Sequence, residues 1–93
     1  MSLLSSLFGR LVPAQPEKVA EPVEYNGFII RAAPFKSEGR YQTAGVIERE
    51  IDGEHREHRF IRADAFASYD DAVTFTLSKA QQMVDLLGER MFG

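Results

Sequence analysis

Ser68–Phe92 reads SYDDAVTFTLSKAQQMVDLLGERMF, and its spacing decides the fold. Val73, Leu77, Ala80, Val84, Leu87 and Met91 recur at alternating steps of four and three, which places them on one stripe of an α-helix. Ala72, Thr76 and Met83 widen that stripe into a core-facing side. Ser68 is placed to cap a free backbone N–H, and Asp71 stands three residues on, as in a capping box. Asp70 and Asp71 also sit at the positive end of the helix dipole. Arg90 and Met91 carry the pattern past Gly88, so the spacing predicts one helix to Phe92. A helix of about 20 residues is roughly 30 Å long and needs a surface to lie on.

Working backwards from that helix, the chain supplies strands. Arg40–Ile51 and Glu54–Phe66 flank Asp52-Gly53, a strong hairpin signal. Val23–Ala33 has strand character through Tyr25, Phe28, Ile29 and Ile30, with Asn26-Gly27 predicting a bulge or a late strand start. Pro34 ends that strand, and residues 35–39 read as a loop. The predicted fold is α+β: a three-stranded antiparallel sheet followed by one long C-terminal helix packed on one face.

A two-residue turn at Asp52-Gly53 pairs Ile51 with Glu54 and Ile47 with His58. It also sets Glu48 against Glu57 and Arg49 against Arg56, and like charges directly opposite destabilise. A longer, bulged loop opposes Glu48 and Arg56 instead, and the sequence leaves both registers open. Small or branched side chains favour the helix lying over Ala44, Val46 and Ile61, with Phe66 plugging one end. Tyr41, Ile47, Ile51 and Phe60 then fall on the far face among arginines, a patch that calls for a cover. A second protomer, the N-terminal segment or a nucleic acid would serve as that cover.

Upstream, Met1–Leu11 puts Leu3, Leu4, Leu7, Phe8 and Leu11 on one helical face. Eleven residues do not hold a helix in water unaided, so the segment reads either as a frayed terminus or as an anchor that folds against a partner, the domain itself or a membrane surface. Arg10 is its single basic residue, which favours a protein partner over lipid. Val12–Pro22 carries three prolines and reads as an extended linker. Residues 1–22 are therefore expected to be an appendage and residues 23–93 the β-β-β-α domain.

The chain has 93 residues, a net charge of -3 and no cysteine. Length allows one domain with a modest core. The charge gives no general pull towards nucleic acid or anionic membrane. Without cysteine there is no disulfide, thiolate nucleophile or sulfur-ligated zinc. That absence fits a reducing cytoplasm; no apolar run reaches the 18 or so residues of a membrane span, and the N-terminus lacks the basic region of a secretory signal.

Chemistry-bearing constellations are sparse. His55, Glu57, His58 and Arg59 cluster in sequence, but His55 and His58 point to opposite faces of a strand, which leaves at most two ligands on one side. No metal, cofactor or catalytic residue is assigned, because no serine or threonine has an evident base and no glycine-rich phosphate loop follows a strand. Arg49, Arg56 and Arg62, with Tyr41 and Phe60, form a candidate DNA-reading set on the far sheet face. Arginines there would meet phosphates or base edges and the aromatics would stack. Five arginines share residues 40–64 with six acids, which fits a solvated sheet of ion pairs as well.

MSLLSSLFGR, the proline-rich linker, EPVEYNGF, YQTAGVIERE, EHRFIRAD and DDAVTFTLSKAQQMVDLLGERMF together resemble the HlyU family of small bacterial transcriptional activators. The resemblance runs along nearly the whole chain, EHRFIRAD being its most specific piece. It implies a bacterial, cytoplasmic protein with a regulatory role and assigns no contact residues. At fold level, Phe66, Ser68, Asp70, Asp71 and Ala72 are also similar to the strand-to-helix junction of plant-type AP2 domains, which read DNA from a sheet. The expected function is transcription regulation through DNA at the exposed sheet face. The alternative is a protein-interaction module or small dimeric structural protein without nucleic-acid binding, partnered by another protein or a second copy.

Overall fold

The computed structural model describes residues 20–93. The N-terminal helix and the Leu3, Leu4, Leu7, Phe8 and Leu11 set expected from sequence lie outside the described residues.

The sheet is built on β4 (Arg40–Ile51), a 12-residue strand. One edge of β4 pairs with β5 (Glu54–Phe66). The other edge is shared end to end by β2 (Phe28–Ala32) and β3 (Phe35–Ser37). β1 (Val23–Tyr25) flanks β2, so among the described residues the antiparallel sheet has five strands.

Three strands were expected; the two extra ones arise because Asn26-Gly27, expected as a bulge or late strand start, and Glu38-Gly39, expected as part of a loop, are hairpin turns. Asn26-Gly27 joins β1 to β2, Glu38-Gly39 joins β3 to β4, and Asp52-Gly53 joins β4 to β5. In each pair both residues have positive φ, as at Asp52 (53°) and Gly53 (81°), the backbone of a type I′ hairpin turn. The tight turn settles the register: Ile51 faces Glu54, Ile47 faces His58, and both like-charge pairs are present. Each member of those pairs has its own counter-charge. Arg31 Nε lies 2.7 Å from Glu48, Arg59 meets Glu57 at 3.7 Å, Arg49 meets Glu89 at 3.5 Å and Arg56 meets Glu54 at 3.2 Å.

The helix α1 (Tyr69–Leu87) begins as its sequence requires: Asp71 N–H donates to Ser68 Oγ at 3.2 Å. It ends earlier than the periodicity predicts. Gly88 adopts φ 54°, its N–H donates to the Val84 carbonyl, and the chain tightens into a 3-10 turn over Gly88–Phe92. That turn still returns Met91 to the core. Ala72, Thr76, Ala80 and Val84 form the buried seam, one helical turn apart, with Leu77, Met83 and Leu87 partly buried beside the core.

The helix lies on the opposite sheet face from the one expected. It covers Thr43, Gly45 and Ile47 of β4, Phe28 and Ile30 of β2, and Phe60 of β5. Ile47 is fully buried, whereas Ile61 is 65% exposed. Two physical reasons explain the choice. Closing over Phe28, Ile30, Ile47 and Phe60 removes far more apolar surface from water than closing over Ala44, Val46 and Ile61 would, and each fully buried large side chain is worth about 1.5–3 kcal/mol. Gly45 supplies the close approach expected of Ala44 and Val46. A Cβ there would stand 3.1 Å from Thr76 Cγ2, 3.0 Å from Phe60 Cζ and 2.9 Å from the Arg31 carbonyl oxygen.

Candidate functional site

Strand alternation sends every second side chain of β2, β3, β4 and β5 to the face without the helix. The centre of that open face is apolar. Ala33, Phe35, Ala44, Val46 and Ile61 line a groove of about 370 Å³. Register explains the gathering: β2 sets Arg31 beside Val46, β3 sets Phe35 beside Gln42, and β5 sets Ile61 beside Ala44.

Along one side of the groove runs a band of alternating charge. Arg31 Nε contacts Glu48 Oε2, while Glu48 Oε1 lies 3.8 Å from His55 Nε2. His55 Nε2 is also 4.0 Å from Glu57 Oε1, and Glu57 Oε2 meets Arg59 at 3.7 Å. Within one strand only His55 and Glu57 share a side, as the sequence reading found. Strand pairing adds Glu48, and the three donor atoms lie within 4.8 Å of one another. Glu48, His55 and Glu57 are therefore the described residues that could hold a metal ion. Arg31 and Arg59 already balance the two carboxylates, so the cluster is charge-compensated as it stands. His58 faces the other way, towards the helix side.

The expected DNA-reading set does not assemble on one open face. Phe60 is 9% exposed and belongs to the core. Tyr41 packs edge-on against Tyr69, centroids 5.6 Å apart, at the start of α1. Burial, then the Asp70 charge, holds the Tyr69 hydroxyl above its ordinary pKa. Arg49 lies with its guanidinium 4.8 Å from the Phe28 ring centroid and closes one end of the core, together with the Phe28–Phe92 stack at 6.1 Å. Arg56 is at the hairpin tip beside Glu54. Arg62 sits where two extra β5 residues bulge between Ala44 and Gln42; its carbonyl accepts from Gln42 Nε2 at 3.0 Å and its side chain meets Asp64 at 3.0 Å. Each of these three arginines already has a carboxylate partner. The residues the sequence reading missed are those of the groove, Ala33 and Phe35 above all, because residues 35–39 read as loop.

Fold and face together define a small α+β domain that closes one side of its sheet with a helix and presents the other. The chain belongs to the HlyU family: the family model, described as transcriptional activator HlyU, matches residues 2–92. No curated protein and no solved structure matches it. No helix among the described residues is long and apolar enough to cross a membrane.

Proposed function

We propose that this HlyU-family chain regulates transcription as a binding protein, and that its open sheet face recognises a protein partner. The observation carrying this reading is the groove itself. Phe35, Val46 and Ile61 offer apolar contact, and the band of Arg31, Glu48, Glu57 and Arg59 offers charges of both signs at its edge. Apolar centre with polar rim is the pattern of a protein interface. By strand alternation Glu24, Glu48, Glu50 and Glu57 outnumber Arg31, Arg40 and Arg59 on this face, which disfavours a phosphate backbone within a Debye length of about 8 Å.

Direct DNA contact is the second reading. The family description favours it, as do the exposed heads of Arg56, Arg59 and Arg62. Anisotropy titration with mixed genomic DNA at low and moderate salt separates the two. The protein reading expects no complex at 50 mM salt and micromolar protein. It also expects a photo-crosslinking residue in place of Ile61 to capture one defined protein in cells. The same residue in place of Leu86, exposed on the helix, should not, and Arg59→Glu should abolish capture. A DNA complex whose affinity falls steeply with salt would overturn the protein reading.

A further inference from the structure

The open face is bare among the described residues, and the chain carries its own candidate cover. We infer that residues 3–11 dock across the groove in cis, as a short helix whose Leu3, Leu4, Leu7, Phe8 and Leu11 meet Phe35, Val46 and Ile61. This rests on reading the open face as the binding surface, and makes the segment a competitor that a partner must displace.

Three observations carry it. The first is where the described chain begins. Ala20 N–H donates to the Ala32 carbonyl oxygen at 3.1 Å, which places the entry point on the β2 edge next to Ala33, itself a lining residue of the groove. The second is length. Residues 12–19, with Pro13 and Pro16, reach about 25 Å if extended at roughly 3.1 Å per residue. The groove is narrower than that: β5 lies only two strand spacings from β2, about 10 Å. Residues 3–11 would span about 13 Å as a helix. The third is chemistry. In sequence the segment carries five large apolar residues at the spacing of one helical face, with Arg10 as its one basic residue, and the opposite sheet face is already closed by α1. A short amphipathic helix is not stable alone in water and gains its order from the surface it lies on.

The chain has no cysteine, so Ser6→Cys in the full-length protein accepts a nitroxide at a single site, on the polar side of the segment. Paramagnetic broadening should erase the Val46 and Ile61 methyl signals and leave those of Leu86, on the outer side of α1, intact. Adding Leu7→Glu and Phe8→Glu to the labelled chain should restore the lost signals, and the same pair in the unlabelled chain should raise crosslinking through position 61. Mixing labelled, isotope-silent chain with unlabelled, isotope-enriched chain must leave the signals sharp. Broadening that survives mixing overturns the inference in favour of a second copy, and broadening that is absent or spread evenly overturns it outright. If broadening fails while position 61 still captures its partner, the cover in cis falls and the open-face reading stands. If both fail, both readings fall.

Discussion

Tyr25 and Asp85, 60 residues apart, are joined through the Tyr25 hydroxyl, which lies 3.0 and 2.9 Å from the two carboxylate oxygens. Asn26 Nδ2 reaches the same carboxylate at 3.4 Å, so the β1–β2 turn is tied to the outer side of α1. The hydrogen bond to Asp85, followed by partial desolvation and the carboxylate charge, raises the Tyr25 pKa above its ordinary 10.0.

A raised folded-state pKa means that the folded chain holds this proton more tightly than the unfolded one. The pair's contribution is therefore complete below the ordinary tyrosine value and is lost as pH rises through the folded value. Tyr25→Phe should lower stability at pH 7, and that loss should shrink as pH rises through the folded-state value. The phenolate absorbance of Tyr25, obtained by subtracting the Tyr25→Phe titration from wild type, should move down towards 10.0 in Asp85→Asn. An unmoved titration would mean that the contact does not persist in solution.

Ile47 and Ile61 test which face the helix covers. Ile47→Ala should cost about 2–5 kcal/mol in denaturant unfolding, the range for an aliphatic side chain truncated in a packed core. Ile61→Ala should stay within about 0.5 kcal/mol, as exposed positions do. Reversal of the two would move the helix to the other side of the sheet.

Thr43 and Thr76 are fully buried, and neither hydroxyl oxygen has a hydrogen-bond partner. A buried hydroxyl without a partner costs about 1–3 kcal/mol. Valine keeps the branched shape and removes that cost, so Thr76→Val should raise the melting temperature by several degrees, a gain of about 1 kcal/mol shifting a domain of this size by roughly 4–8 °C. A lower melting temperature would show that the hydroxyl is bridged by internal water.

Residues 1–22 are proposed as an appendage to the domain. Deleting residues 1–19 keeps Ala20 and its bond to Ala32, and should preserve a single cooperative transition with the melting temperature lowered by a few degrees at most. Loss of cooperativity would place part of the core in the deleted segment.

Local chemistry was readable in the linear chain. The Ser68 cap, the i, i+4 seam of the helix, the bounds of β4 and β5 and the Asp52-Gly53 turn all depend on residues within a few positions of one another. Gly27 and Gly39 carried the same turn signal. Asn26-Gly27 reads in sequence as a bulge or a late strand start and Gly39 as part of a loop, because β1 and β3 have only three residues each, too few to show an alternating pattern. The Glu48–Glu57 and Arg49–Arg56 oppositions spoke against the tight turn in sequence. They are tolerated because Arg31, Arg59, Glu89 and Glu54 approach from outside the opposed pair.

What the sequence determined by itself is the α+β class, the helix and its start, the long β4–β5 hairpin and the family resemblance. Only the tertiary structure decided which sheet face the helix seals. β4 and β5 carry apolar residues on both sides, so alternation within them cannot break the tie. The tie is broken by β2, whose Phe28 and Ile30 add their burial to that of Ile47 and Phe60, and by Gly45, where a Cβ would crowd Thr76 and stand 2.9 Å from the Arg31 carbonyl oxygen. The same decision buried Phe60 and exposed Ile61, and so made the groove at Phe35, Val46 and Ile61 the surface left for recognition.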